Sequence, residues 1–150
     1  MVEARRLGQR LGVKAYLDSS VILGRVLEEP GALRNWGRWE VLISSELSRV
    51  ETSRIMDRMR LTGRMSDDDF ADMRDSLRSL MSRVQLAPIA PEVLDRAAAP
   101  LPVVVGSLDA IHLATALLWM DDHREPLLFV THDAQLAVAA RLCGLEVKTA

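Results

Sequence analysis

The stretch from Ala15 to Leu23 most constrains how this chain can fold. A short apolar run ends in one carboxylate, Asp18. Two serines come next, and after them the apolar residues recur with helical periodicity. This pattern predicts a β-strand that ends in an acid and passes directly into a helix. Ligands of open α/β sheets sit at the carboxyl ends of strands. Asp18 is therefore either a helix N-cap or a functional group, and this stretch alone leaves both open.

The rest of the chain alternates segments typical of strands and helices. We expect further strands over residues 40–43, 86–89, 126–131 and 145–149, and helices over 46–61, 66–84, 91–98, 108–120 and 134–142. The two strongest strands are unbroken apolar runs, as expected for strands covered on both faces. Pro88 indicates that the third strand either lies at a sheet edge or is only weakly predicted as a strand. The prediction is an α/β protein with a three-layer α/β/α fold and a mostly parallel central sheet.

Composition narrows the class of protein. With 150 residues, 49% of them hydrophobic, residues 14–150 are expected to form one domain, and residues 1–13 a flexible N-terminal extension. A single cysteine excludes an intrachain disulfide and suits the reducing cytoplasm. The apolar runs fall short of the ~20 residues that span a bilayer, so we expect no membrane association.

Charge is uneven along the chain. The formal net charge of −2 argues against a globally basic nucleic-acid binder. Lys14 and Lys148 are the only lysines, so arginine supplies most of the positive charge. The planar guanidinium suits phosphate groups, although a GC-rich genome would give the same bias. Arg49, Arg54 and Arg58 are predicted to lie along one helix and are candidates for phosphate contacts.

Four acids stand out by position. Asp18 and Asp133 follow strands, Glu51 lies in the helix after the second strand, and Asp109 opens an apolar helix. Each has a structural explanation: the two strand-end acids could cap helices, Asp109 could favour the helix dipole, and Glu51 could pair with Arg54. On the helix of Glu51, the apolar residues Leu47, Val50 and Leu61 are expected to share one face.

Together the four acids suggest a cation site. A parallel sheet brings two of them to one edge, and Asp109 has apolar neighbours that make an unpaired charge costly. Carboxylates about 4 Å apart repel by about 4 kcal/mol at an effective dielectric of about 20. Such a cluster takes up protons or binds cations, and oxygen ligands favour Mg²⁺ or Mn²⁺ over zinc.

Four segments in this order resemble the PIN-domain ribonucleases, and in particular the VapC-type toxins of type II toxin–antitoxin systems. The segments are residues 16–20 (YLDSS), 45–51 (SELSRVE), 107–116 (SLDAIHLATA) and 131–133 (THD), and the resemblance extends over about residues 14 to 149. It implies an RNA-cleaving enzyme that binds one or two Mg²⁺ or Mn²⁺ ions. It also implies a co-encoded antitoxin protein as partner and a homodimer.

Carried over by motif, the metal-binding and catalytic residues would be Asp18, Glu51, Asp109 and Asp133. Ser20 and Thr131 match hydroxyl groups near the family's site, and Ser19 and Ser20 would then cap the first helix in place of Asp18. Glu46 is an extra acid about one helical turn before Glu51, either near the site or simply at the helix start. His112 is expected to pack or hydrogen-bond near the site and not to act as a general base.

Two other functions compete with the ribonuclease. Haloacid-dehalogenase-like phosphatases also place an acid after their first strand, but they carry Asp-x-Asp, and Ser20 stands where the second acid would be. The other alternative is a non-catalytic PIN-like module whose acids only recruit a protein or a cation.

Overall fold

The structure, a computed structural model, describes residues 12–32 and 36–149, which form five strands and six α-helices in alternation. The strands are β1 (Val13–Leu17), β2 (Trp39–Ser45), β3 (Gln85–Ala87), β4 (Leu128–Thr131) and β5 (Glu146–Thr149). The helices are α1 (Ser19–Val26), α2 (Leu47–Leu61), α3 (Asp67–Met81), α4 (Pro91–Ala98), α5 (Ser107–His123) and α6 (Ala134–Leu142). The predicted N-terminal extension lies outside the described residues except for Gly12 and Val13, and Val13 already belongs to β1.

The five strands form one parallel sheet in the order β3-β2-β1-β4-β5. The chain moves outward from β1 to β3 and then returns to the other side of β1 with β4. The direction of winding therefore reverses beside β1, where parallel sheets open a crevice at their carboxyl edge. Helices on both faces of the sheet confirm the predicted three-layer α/β/α fold.

The two faces of the sheet carry separate hydrophobic clusters, because successive strand residues point to opposite sides. On one face, Ala15, Leu17 and Val130 pack with α1, α2 and α3. On the other face, Tyr16 and Phe129 pack with α5 and α6. Both faces are thus dry, which explains the unbroken apolar runs in β1 and β4. None of the described helices has the length and apolar character to cross a bilayer.

Helix α2 buries a polar face, and the predicted apolar face is wrong. Val50 is 59% exposed and Leu61 is 69% exposed, whereas Ser48, Thr52 and Met56 are buried. The two small hydroxyl side chains satisfy their polar atoms locally: Thr52 Oγ1 donates to the Ser48 carbonyl at 2.6 Å, and Ser48 Oγ lies 2.7 Å from Ser44 Oγ. Because these bonds remove the cost of burying hydroxyls, α2 packs closely against the sheet without an apolar stripe.

Strand β3 is shorter than predicted and lies at the edge of the sheet, as Pro88 indicates. It spans Gln85–Ala87, whereas the sequence predicted 86–89. Proline has no backbone N–H to continue the ladder, and an edge strand tolerates its early end.

The core position of Leu113 on α5 provides a test of this packing. Leu113 has no exposed surface, so Leu113→Ala should lower the free energy of unfolding by about 2–5 kcal/mol through lost burial and the cavity left behind. Val104→Ala is the control, because Val104 is 97% exposed and should change stability by less than about 0.5 kcal/mol. Urea unfolding followed by circular dichroism measures both, and equal losses would contradict this core.

Candidate active site

A cleft of about 360 Å³ opens at the carboxyl edge of the sheet, where β1 and β4 lie side by side. The four acids predicted from the sequence all line it, although they come from four separate segments of the chain. The full lining is Asp18, Ser19, Ser20, Leu23, Glu29, Glu51, Ile55, Asp109, His112, His132 and Asp133. The fold thus places the four carboxylates in one cavity.

Asp18 is the N-cap of α1, so the prediction that Ser19 and Ser20 take over this duty is wrong. The backbone of Asp18 is extended, and its Oδ1 accepts the Val21 N–H at 3.2 Å. Ser20 Oγ donates to the same oxygen at 2.5 Å, and Thr131 Oγ1 donates to Oδ2 at 2.6 Å. Each carboxylate oxygen has about two acceptor sites, so a capped Asp18 keeps capacity for a further ligand.

Asp133, like Asp18, follows a strand and caps the next helix; here the strand is β4. Its Oδ1 accepts the N–H groups of Gln135 at 2.8 Å and Leu136 at 3.1 Å, and so caps α6. The Asp133 N–H donates to Thr131 Oγ1 at 3.0 Å. Thr131, which is fully buried, therefore bridges Asp18 and Asp133. The other oxygen of Asp133, Oδ2, is outside the cap.

Glu51 enters the cleft from α2 and is held by a polar network. His112 Nε2 lies 2.5 Å from Glu51 Oε1, and Ser19 Oγ donates to that same oxygen. Burial tends to raise the pKa of Glu51, but the hydrogen bonds with His112 and Ser19 outweigh burial and hold this pKa below its usual range. Glu51 is thus an ionised carboxylate. The proposed pairing with Arg54 is wrong, since Arg54 binds Asp57 at 2.8 Å.

Asp109, in the first turn of α5, has a pKa that is shifted in the opposite direction to that of Glu51. Burial, and then the negative charges of Asp133 and Asp18, raise its pKa above the ordinary value. Because these acids line the same cleft, their like charges destabilise an ionised Asp109. The cleft therefore holds an excess of negative charge that a bound cation would relieve.

The donor set fits a hard divalent cation, although the side chains do not enclose one. Within residues 12–32 and 36–149, no group of three or more His, Cys, Asp or Glu side chains converges closely enough to form a metal cage. Mg²⁺ needs no such cage, because it keeps several waters and is held in proteins by one or two carboxylates. The oxygen chemistry and the raised pKa of Asp109 fit such an ion.

Other predicted site residues lie apart from the cleft. Glu46, Arg49 and Arg54 line a separate groove with Val50, Ser53 and Ile89. Glu46 is the N-cap residue of α2 without a side-chain capping bond, which favours its reading as a helix-start residue. Arg58 is exposed two helical turns after Glu51, on the same side of α2.

Three polar residues of the cleft were not predicted as site residues: Ser19, Glu29 and His132. A Cβ placed on Gly24, in α1, would lie 3.3 Å from His132 Nε2 and 3.4 Å from Glu29 Oε2. Glycine inside a helix costs about 1 kcal/mol relative to alanine, so its presence in α1 was a sequence signal for a close neighbour. Nothing in the sequence indicated which residue that neighbour would be.

Comparison with known proteins gives a consistent match. The PIN domain family matches residues 15–142. Ribonuclease VapC47 of Mycobacterium tuberculosis is 31% identical over 136 residues, covering 86% of this chain and 91% of that protein. Two solved structures share the fold: VapBC2 from Rickettsia felis bound to a DNA fragment from their promoter, and a toxin-antitoxin complex from Klebsiella pneumoniae.

The structural matches extend over nearly the whole fold. The Rickettsia structure has a TM-score of 0.64 at 11% identity and covers 91% of this chain and 98% of its own. The Klebsiella structure has a TM-score of 0.60 at 19% identity, with coverages of 91% and 97%. At these identities the likeness concerns the fold alone.

The raised pKa of Asp109 predicts how stability depends on pH. Because the folded state holds this proton more tightly than the unfolded state, the ionised group costs stability at pH values above its ordinary pKa of 3.8. Asp109→Asn should therefore raise the melting temperature in EDTA at pH 7 by about 1–3 °C, a small gain because Asp109 is only half buried and water screens its charge.

The gain from Asp109→Asn should shrink as the pH is lowered toward 3.8, where the wild-type carboxyl becomes protonated in both states. Asp72→Asn on α3 is the control, since Asp72 is exposed and lines a different part of the surface. Differential scanning fluorimetry measures both variants, and a lower melting temperature for Asp109→Asn at pH 7 would contradict the charge excess.

Proposed function

Because this chain belongs to the PIN-domain family, we propose that it is a metal-dependent endoribonuclease that hydrolyses RNA phosphodiester bonds and serves as the toxin of a type II toxin–antitoxin pair. The observation that carries the proposal is the meeting of Asp18, Glu51, Asp109 and Asp133 in one cleft. The name of the Mycobacterium relative, a ribonuclease, supports RNA as the substrate.

Asp18, Asp109, Asp133 and Glu51 are the residues that would hold Mg²⁺ or Mn²⁺. A bound divalent cation lowers the pKa of a coordinated water and offsets negative charge that develops on the phosphate. Asp18 and Asp133 are fixed at strand ends by their capping bonds, so their carboxylates hold their positions when RNA enters. Glu51, ionised and bound through Oε1, leaves Oε2 to orient the attacking water.

An antitoxin protein and a second copy of this chain are the proposed protein partners. The Klebsiella complex, described as a toxin-antitoxin complex, supports the first. An antitoxin is needed because an uninhibited ribonuclease would damage the RNA of its own cell. RNA as substrate and a single free cysteine support the cytoplasm as the proposed location.

The phosphatase alternative is disfavoured by the position after Asp18. A haloacid-dehalogenase-like enzyme needs a second acid at position 20, and the Ser20 hydroxyl there already donates to Asp18 and accepts the His132 N–H at 3.1 Å. A non-catalytic binding module remains the competing function, and the following experiment separates it from the ribonuclease.

The wild-type protein should cleave single-stranded RNA in Mg²⁺ or Mn²⁺, and EDTA should stop the cleavage. Asp18→Asn should reduce the rate by at least about 100-fold, because it removes a charged oxygen from the proposed ion. Asparagine is also a favourable N-cap, so the melting temperature should change little. Gel analysis of a labelled RNA measures the rate.

The matched control is again Asp72→Asn, which removes one negative charge from an exposed position on α3 and should cleave at the wild-type rate. Wild-type protein that binds the ion but leaves RNA intact would favour the binding module. Full cleavage by Asp18→Asn would refute the role of Asp18.

Substitution of Arg58 tests the proposed contacts between arginine side chains and RNA phosphates. Arg58→Gln should raise the KM for RNA by roughly 2- to 5-fold and leave kcat unchanged, because an exposed charge contact positions the RNA backbone and takes no part in the chemistry. The salt dependence of binding to single-stranded RNA should weaken by about 0.7 in its logarithmic slope. Arg141→Gln, in the last turn of α6, is the control and should change neither quantity.

A further inference from the structure

A buried chain of hydrogen bonds leads from the middle of the sheet to the cleft. Tyr16 OH, in β1, lies 2.7 Å from His112 Nδ1, and His112 Nε2 lies 2.5 Å from Glu51 Oε1. Tyr16 is fully buried and His112 is 1% exposed. The Tyr16 ring is stacked on Phe129 of β4, with ring centres 5.3 Å apart and an interplanar angle of 8°. The buried end of this chain of hydrogen bonds, the Tyr16 side chain, is therefore held in place by burial and ring stacking.

The two ends of this chain of hydrogen bonds bear on where the imidazole proton of His112 resides: Tyr16 OH lies against Nδ1, and the carboxylate of Glu51 lies against Nε2. Two other hydroxyls lie near Tyr16, but their protons are directed elsewhere. Ser44 Oγ donates to the Leu17 carbonyl, and Thr115 Oγ1 donates to the Ile111 carbonyl. A neutral imidazole has one donor nitrogen and one acceptor nitrogen. When Tyr16 donates its single proton to Nδ1, the imidazole proton must reside on Nε2, and Nε2 then donates to Glu51.

The arrangement differs from a Ser-His-acid triad, although Ser19, His112 and Glu51 all meet in it. In a triad the acid binds Nδ1 and the serine binds Nε2. Here Nδ1 is taken by Tyr16, while Ser19 Oγ lies 3.1 Å from Nε2 and donates to Glu51. Both donors converge on Glu51 Oε1, so the network serves the carboxylate and not a serine nucleophile.

We infer that Tyr16 and His112 are positioning residues that lock the Glu51 carboxylate in one orientation, with Oε1 held by two donors and Oε2 presented to the cleft. The inference rests on the proposed function for its catalytic consequence, since the oriented oxygen matters only if Glu51 serves an ion or the attacking water. Residues that hydrogen-bond to metal ligands fix the ligand's direction, and their loss typically costs about 10- to 100-fold in metal affinity or activity.

The proton position can be measured on metal-free protein without any assay of activity. Long-range ¹H–¹⁵N correlation spectra should show His112 protonated on Nε2 alone. Tyr16→Phe removes one hydroxyl and keeps the ring that stacks on Phe129, so the fold should persist while His112 becomes a mixture of the two tautomers. A wild-type His112 that lacks a proton on Nε2, and so cannot donate to Glu51, would overturn the inference.

The functional consequence is tested by Mn²⁺ titration followed by electron paramagnetic resonance, and by RNA cleavage. His112→Leu should weaken Mn²⁺ binding or lower kcat by about 10-fold or more, with little change in the KM for RNA. His112→Gln, which keeps an N–H donor on a side chain of similar reach, should recover part of the loss, and Tyr16→Phe should give an intermediate effect.

Thr52→Val is the control, because it also removes a buried hydroxyl, one that donates to the Ser48 carbonyl and does not contact His112. It should change neither the tautomer, nor Mn²⁺ affinity, nor kcat. If wild-type protein cleaves RNA but Tyr16→Phe and His112→Leu match it in Mn²⁺ affinity and kcat, the inference fails and the proposed function stands. If the tautomer is as stated but the wild-type protein leaves RNA intact, the proposed function fails and the orienting network remains.

Discussion

The hydrogen bond from Thr131 to Asp18 joins the ends of the two strands on which the candidate site depends. Thr131 Oγ1 donates to Asp18 at 2.6 Å and accepts the Asp133 N–H at 3.0 Å. One buried hydroxyl therefore sets the spacing of two acids that would otherwise repel each other. The parallel pairing of β1 with β4 makes this bridge possible, because it brings both strand ends to the same edge.

The four acids tolerate one another because each is stabilised differently. Asp18 and Asp133 accept backbone N–H groups at helix starts, where the helix dipole also favours a negative charge. Glu51 is ionised because two side-chain donors hold one of its oxygens. Within the part of the chain that the structure describes, no hydrogen bond holds the Asp109 carboxylate, and burial together with its neighbours raises its pKa. The remaining electrostatic strain is concentrated on Asp109, which is the residue that a cation would relieve most.

The choice between structural and functional roles for Asp18 and Asp133 is not exclusive. Each caps a helix with Oδ1, and the carboxylate retains further acceptor sites toward the cleft. A cap fixes the carboxylate in space without an added cost, because the orphan N–H groups of the helix must be satisfied in any case. Capping thereby pre-organises two acids of the candidate site, and an N-cap acid at the carboxyl edge of a parallel sheet is compatible with catalysis.

The sequence by itself determined the alternation of strands and helices, the buried parallel sheet and the acids at its edge. These features follow from local rules: unbroken apolar runs, helical periodicity, and an acid where a strand passes into a helix. Asp18 and Asp133 could be found in this way because capping and strand ends are local. Asp109 had one local signal, its apolar neighbours on the helix. Glu51 could be proposed only together with the others, since nothing local distinguishes it from an ordinary helix acid.

Only the tertiary structure decided which groups meet. The buried polar face of α2 could not be read from residues 47–61, because its hydroxyls are satisfied by partners outside the apolar pattern. The contacts of His112 with Tyr16, Ser19 and Glu51 join residues between 61 and 96 positions apart. No periodicity encodes such contacts, because they arise from the packing of α2 and α5 against β1. The sequence placed the acids on the right elements, and packing determined that they share one cleft and which groups orient them.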